Sequence, residues 1–510
     1  MYDGQEELDS LVWDKNDEDS DKAQKQMRLK ITCRKVEDLA REKFGKPATL
    51  ISPLVMGGFN ILYRIRLEGI SPDIMIRLPC PSLVQFPAEK IVQEAATAAL
   101  IAKQTQLPIP RHLFYGDDLT VGPFVIMERI ENCGSISAKL TRPSEDPSAP
   151  HVLDPNILET TLEAIWVKVA HCLLQLSRIT FPRIGSLVEV GKGNYEVRGR
   201  PITHNMTDMI RLANIPRGVL PPKGKTYDTA DEWYTALADM HIAQLIFQHN
   251  DLVTSEDDCR NKYVARQIFR RLAKQGRLSI FGFAEDTWSA QSSNISASLL
   301  LPAPSGFDLI RLWGDDFRPG NILLTELDEI AALIDWEYTY VGPTQFILDP
   351  PWWLLIETAE MWSSGVDEWR KTYDMRLETW LSAMKKAEAD MTEPNPLPAP
   401  LSTYMQESWE TGRFFLSYGA RKSWAFDTMY WKFLDERFFG DRESSVLKND
   451  LWKTRLHLLS EEERAAMEPF VERKMVESKT RCIINWDSTK AQQRFLSYCL
   501  IERKRKERSN

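Results

Sequence analysis

Gly314-Asp315-Asp316-Phe317-Arg318-Pro319-Gly320-Asn321, followed by Ile334-Asp335-Trp336-Glu337, decides how this chain is read. An acid, an amide five residues later and a second acid nineteen residues after the first stand in one short region. Phosphoryl transfer from ATP uses such a set: one carboxylate orients the attacking hydroxyl, and an amide oxygen and a second carboxylate hold Mg²⁺ against the phosphates. Apolar runs flank the set, Ile322-Leu323-Leu324 after the amide and Ala331-Ala332-Leu333-Ile334 before Asp335. The pattern predicts a catalytic loop, a hairpin and a metal-binding acid at a strand end. Asp316, not Asp315, has the five-residue register with Asn321, so Asp316 is the expected catalytic carboxylate. Asp315 is assigned to loop structure or to a contact behind the site. Asn321 and Asp335 are the expected metal ligands, and two protein oxygens suffice for an ion that keeps water and phosphate oxygens. Glu337 is read as structural.

Moving outward, the N-terminal part supplies candidates for holding a nucleotide. Met56-Gly57-Gly58-Phe59-Asn60 precedes a run with Ile61, Tyr63, Ile65 and Leu67 at every second position. That alternation predicts a half-buried strand. The Gly57-Gly58 pair would let backbone N–H groups approach phosphate, with Asn60 beside it as a further nucleotide contact, although Gly-Gly before a strand is also an ordinary turn. A second strand is predicted at Ile74-Met75-Ile76-Arg77-Leu78, and a helix over 88–103. Arg77 on the strand and Glu94 on the helix would pair as the cation and carboxylate that hold the α- and β-phosphates. The bland alternative is a surface ion pair contributing about 0–1 kcal/mol. A strand over 123–130 leads into Met127-Glu128-Arg129-Ile130, read as a hinge whose backbone at Met127 and Arg129 bonds the adenine edge.

Length and composition bound the rest. The 510 residues are too many for one simple core and suit two lobes. Hydrophobic residues make up 43% and charged residues 27%, an ordinary globular balance. A net charge of −9 gives no broad basic surface, so nucleic acid is not an expected partner. Seven cysteines without a Cys-x-x-Cys pair point to reduced thiols, and the seven histidines are dispersed without zinc spacing. No apolar run is long enough for a membrane span and no leader pattern opens the chain, so a cytoplasmic protein is expected. Residues 1–30 are acidic and poor in large apolar residues, which predicts a disordered tail. Helices are expected over 31–45, 157–178, 229–248, 258–274 and in the aromatic-rich stretch 402–436. The aromatics Trp409, Phe414, Phe415, Tyr418, Trp424, Phe426, Tyr430, Trp431 and Phe433 are read chiefly as core.

With these residues in hand, the chain resembles the aminoglycoside phosphotransferase (APH) family of kinase-like enzymes, and more closely its large fungal branch with a DDFRP-type catalytic loop. The resemblance runs over about residues 48 to 440 and rests on GGFNILYRI, IMIRLP, LPIPRHLFYG, GPFVIMERI, KYVARQIFRRLA, DDFRPGNILL, ALIDWEYTYVGP and DPPWWLL. It implies an α+β, bilobal protein kinase-like fold, with a small N-terminal antiparallel sheet lobe carrying one helix and a large, mainly helical C-terminal lobe. The expected division is a tail over 1–30, a nucleotide-binding lobe over 31–128, a catalytic and acceptor-binding lobe over 129–480 with an insert at 186–302, and a basic helix or tail over 481–510. The resemblance also implies ATP and Mg²⁺ as cofactors, a small-molecule hydroxyl as acceptor, Asp316 as catalytic residue, Asn321 and Asp335 as metal ligands, and Asp349 as a structural brace of the catalytic loop. Two positions depart from the family. Gly314 stands where the family has His, and Arg77 stands at the position of the nucleotide-binding Lys. These departures motivate a second reading, a catalytically silent pseudokinase-like binding or scaffold protein.

Overall fold

The computed structural model describes residues 8–146, 149, 151–295, 297–306 and 310–499. Two helices, α1 (Ser10–Met27) and α2 (Lys30–Phe44), lead into strands β1 (Ala48–Met56), β2 (Asn60–Leu67) and β3 (Ile74–Pro79). Helix α3 (Pro87–Gln104) follows, then β4 (His112–Asp118) and β5 (Gly122–Glu128). The five strands form one antiparallel sheet in the order β1-β2-β3-β5-β4. Its alternation sorts the faces. Ile61, Tyr63, Ile65 and Leu67 of β2 and Ile74, Ile76 and Leu78 of β3 are buried in one small core with Val36, Leu39 and Ala40 of α2. Each such side chain contributes about 1.5–3 kcal/mol on burial. Arg77 therefore points to the opposite face, toward α3.

After β5 the chain enters the large helical lobe, comprising α4 (Glu159–Leu176), the hairpin β6 (Ser186–Gly191) and β7 (Asn194–Gly199), α5 (His204–Ala213), α6 (Ala230–Phe247) and α7 (Glu256–Lys274). Next come β8 (Ile310–Gly314), β9 (Ile322–Leu324), β10 (Ile330–Leu333) and β11 (Thr339–Pro343). Helices α8 (Val366–Asp390), α9 (Leu401–Thr411), α10 (Arg413–Arg421), α11 (Glu461–Glu477) and α12 (Ser488–Cys499) complete the described chain. Strands β8 and β11 pair antiparallel, as do β9 and β10, and between them they frame the catalytic loop. The hairpin expected from Ile322–Leu324 and the run before Asp335 is thus present. Leu333 N donates to Pro108 O of the small lobe at 2.9 Å, and within the large lobe Leu324 N donates to Gly134 O at 2.9 Å.

Composition misjudged the N-terminus. Ser10–Met27, within the tail expected to be disordered over 1–30, is an α-helix. Asp9 caps it by accepting from Val12 N, and Lys15–Asp19 supports it as an i,i+4 pair. Its anchors are distant in sequence: the Asn250 side chain donates to both Asp9 carboxylate oxygens at 3.0–3.1 Å, and the Asn16 amide donates to Arg211 O. Tertiary contacts override the low apolar content. The β6–β7 hairpin inside 186–302 and the strands β1 and β4 were also not read from sequence. Of the basic C-terminus, Ser488–Cys499 is helical and 500–510 lie outside the described residues.

Candidate active site

The expected residues converge on a cleft of about 750 Å³ between the lobes. Gly57, Gly58, Asn60, Arg77, Glu94, Met127, Arg129, Asp316, Asn321 and Asp335 all line it. On its floor, Arg77 is 4% and Glu94 2% exposed, and their side chains form an ion pair. The bland surface-pair reading is excluded by that burial. Arg77 also reaches Asp335, Nη1 to Oδ1 at 3.3 Å. Burial works against the Arg77 charge, and Glu94, Asp335 and Glu337 together raise its pKa above the ordinary value.

A second buried pair lies beside the first. Lys90, one turn before Glu94 on α3, meets Glu337 at 2.7 Å, and Asn60 Nδ2 donates to the same Glu337 oxygen at 3.3 Å. Asn60 thus ties the Gly57-Gly58 turn to the turn between β10 and β11 while lining the same cleft. The turn itself is tight. A Cβ on Gly57 would lie 3.2 Å from Asn60 O, while one on Gly58 would meet nothing within 4 Å. Burial opposes ionisation of Glu337, and Lys90 and Arg77 outweigh it, holding the carboxyl below its usual range. Asp335 is pushed the other way, well above the usual carboxylate range, by burial and by the Glu337 charge. A divalent cation is the group that would reverse this. Asp335 also adopts φ +63°, a conformation costly for a residue with a side chain, which turns it into the cleft.

The catalytic loop is braced from several directions. Arg318 Nε donates to Asp316 Oδ1 at 2.8 Å, and Asn321 Nδ2 donates to Asp316 Oδ2 at 3.1 Å and to Asp316 O at 2.9 Å. With its nitrogen committed to Asp316, Asn321 keeps its amide oxygen for another partner. Asp315 is structural, as its register implied. It accepts from His204 N at 3.1 Å, Trp313 Nε1 at 3.1 Å and Arg421 Nη1 at 3.3 Å. Gly314 has its own explanation: a Cβ there would stand 2.8 Å from the Phe317 Cβ, so the space of the family's histidine side chain is occupied by Phe317. Asp349 does not brace the loop directly. It is buried, accepts from Ser408 Oγ of α9, and burial raises its pKa.

Asp316 also faces a second cleft of about 370 Å³. This one is walled by Asp208, Glu357, Glu360, Arg421, Lys422, Trp352 and Trp424. Lys422 lies over the Trp352 ring at 4.5 Å and pairs with Glu360 at 3.5 Å. Ile356, on the rim, holds φ +68°, a strained value for a β-branched residue. Trp424 is the member of the aromatic stretch that serves a cleft, whereas Phe414, Phe415, Tyr418, Phe426, Tyr430, Trp431 and Phe433 are buried in the core. On this side sequence reasoning assigned roles only to Asp315, Asp316 and Trp424, and it read Trp424 chiefly as core. The elements of the other residues are far apart in the chain, and no local spacing marks them.

Comparison with known proteins agrees with the motifs. Residues 212–384, which hold Asp316, Asn321 and Asp335, match the phosphotransferase enzyme family, APH. The resemblance read from the sequence is therefore to a family whose pattern this segment carries. No curated protein matches the chain. Among solved structures, the chain is similar to a Ralstonia eutropha protein assigned to the aminoglycoside phosphotransferases, with 12% identity and TM-score 0.35 over 86% of this chain and 97% of that one. It is similar to a macrolide 2'-phosphotransferase type I, with 13% identity and TM-score 0.38 over 80% and 96%. It is also similar to a thermostable mutant of aminoglycoside phosphotransferase APH(4)-Ia, in complex with AMP-PNP and hygromycin B, with 13% identity and TM-score 0.35 over 88% and 99%. The fold is an α+β arrangement of a small antiparallel sheet lobe and a large, mainly helical lobe. No helix among the described residues is long and apolar enough to cross a membrane.

Proposed function

We propose that this protein transfers the γ-phosphoryl group of ATP to a hydroxyl of a small molecule held in the second cleft. One observation carries the reading: Asp316 lines both clefts, with Asn321 and Asp335 on the nucleotide side only. In the proposed step the acceptor oxygen forms a bond to the γ-phosphorus, the bond to the β,γ-bridging oxygen breaks, and ADP leaves. The hydroxyl proton passes to Asp316, which Arg318 and Asn321 hold in place. Arg77, fixed by Glu94, contacts the phosphates, and the backbone at Met127 and Arg129 meets the adenine edge. Among the described residues no cluster of three or more His, Cys, Asp or Glu forms a metal cage. The donor set instead fits Mg²⁺: the free amide oxygen of Asn321 and the carboxylate of Asp335 are two hard oxygens in one cleft. When bound there, Mg²⁺ supplies neutralisation of phosphate charge. Most of the rate gain would come from positioning and from charge stabilisation.

One contact favours the second reading, a catalytically silent binding module: Arg77 sits 3.3 Å from Asp335 and competes there with a cation. Purified protein decides between them. With Mg²⁺ and ATP, the expected result is nucleotide binding and ATP consumption when a library of small hydroxyl compounds is screened. Asp316→Asn should lower turnover by about 10²–10⁴-fold with nucleotide affinity kept. Binding without turnover across the library would favour the silent module. If Asp335→Ala leaves Mg·ATP affinity unchanged, the metal assignment is wrong.

A further inference from the structure

Three side chains line both clefts: Asp316, Arg318 and His204. The first two belong to the catalytic loop. His204 comes from the first turn of α5, more than a hundred positions earlier in the chain, and has no part in the motif.

Its placement is fixed at every point. The backbone N–H donates to Asp315 Oδ2 at 3.1 Å, which locks the residue to the loop next to Asp316. The imidazole Nδ1 is 2.8 Å from Asp208 Oδ2, one helical turn on. The ring stands edge-on to Phe59 of the glycine turn, with centroids 5.5 Å apart, and lies 5.0 Å from Tyr338 after the metal motif. Asp208 engages Nδ1, so Nε2 is the ring nitrogen left to meet a ligand where His204 lines both clefts. A carboxylate that accepts from Nδ1–H makes the other ring nitrogen more basic, and once that nitrogen is protonated both donate.

We propose that His204 Nε2–H contacts a non-bridging oxygen of the γ-phosphoryl group as it passes between the clefts. This rests on the phosphotransferase reading and adds a catalytic residue to it. The transferring group spreads negative charge over three equatorial oxygens and needs donors placed around it. Asp335 and Asn321 lie on the nucleotide side and Arg318 is drawn to Asp316, so a donor on the α5 side completes the ring. Burial works to lower the His204 pKa, and the Asp208 carboxylate outweighs it, with Asp316 and Asp315 adding to the rise. The cationic ring is therefore favoured where phosphate charge develops.

The test compares two nucleotides that differ in the γ-group. With Mg²⁺ present, AMP-PNP and ADP affinities are measured by calorimetry on the full chain, for the wild type and for His204→Ala, His204→Gln and Asp208→Asn. The expected result is a loss of AMP-PNP affinity of about tenfold in His204→Ala, the scale of one charge-assisted hydrogen bond, with ADP affinity unchanged. His204→Gln and Asp208→Asn keep the volume at the site and should show the same selective loss in smaller measure. Equal weakening of both nucleotides, or of neither, overturns the assignment while the phosphotransferase reading stands. Wild-type protein that binds neither nucleotide overturns both.

Discussion

On the proposed nucleotide side of Asp316, the charges come from three compact stretches: Arg77 on β3, Lys90 and Glu94 on α3, and Asp335 and Glu337 after β10. They pair almost wholly within themselves, in the buried ion pairs Arg77–Glu94 and Lys90–Glu337, with Arg77 also reaching Asp335. On the acceptor side, the wall is collected from α5, from the segment 352–361 and from 421–424, and its charges reach across long intervals of chain, as in Arg421 to Asp315 and Lys422 to Glu360. Each side holds one strained residue, Asp335 on the first and Ile356 on the second. The difference teaches how each side is specified. The nucleotide side is a closed electrostatic unit whose parts must be kept together. The acceptor side is an assembly of helix ends whose position depends on packing elsewhere.

If that contrast is right, breaking the closed unit should cost most. Glu94→Ala strips the buried Arg77 of its main partner, and we expect a loss of about 3–5 kcal/mol in denaturant unfolding together with loss of Mg·AMP-PNP binding. Unchanged stability would mean that Asp335 alone carries Arg77, and the two-pair description would fall.

A smaller effect is expected at the point where the two sides join. Gly314→Ala places a Cβ 2.8 Å from that of Phe317 and should destabilise by about 1–3 kcal/mol, with a fall in turnover as Asp316 shifts. Adding Phe317→Ala should recover part of the turnover. Gly314→His should be worse than alanine, because the space is already filled.

The smallest effect sharpens the acceptor side through its support. His241 of α6, 1% exposed, has Nε2 3.1 Å from Ala420 O, next to Arg421. Burial pushes its pKa down to about 3. The unfolded chain takes up this proton near pH 6.5 and the folded chain does not, so the contribution is full above that value and falls with acidification. Between pH 6.5 and 5.5 the expected loss is about 1 kcal/mol, and His241→Gln should flatten that part of the stability profile. A wild-type profile with no slope in this interval would remove His241 as a support of the wall.

Much of the nucleotide side was legible beforehand because its residues lie in short motifs whose spacing reflects chemistry: the five-residue register selects Asp316 over Asp315, and Arg77 and Glu94 fall on a strand and helix with clear periodicities. Asn60 was read as a phosphate neighbour, yet its side chain bonds Glu337. The helix at Ser10–Met27 was missed because its stability comes from Asn250 and Arg211, hundreds of residues away, and not from its own apolar content.

The sequence by itself determined the alternating strands β2 and β3, the β9–β10 hairpin, and the grouping of Asp316, Asn321 and Asp335 as oxygen donors, because periodicity and motif spacing are local properties. Only the tertiary structure decided why Gly314 must be glycine, that Arg77 leans on Asp335, and that His204 and Asp208 stand beside Asp316. Those facts depend on which distant side chains fill the same space, and no local pattern in the chain encodes that.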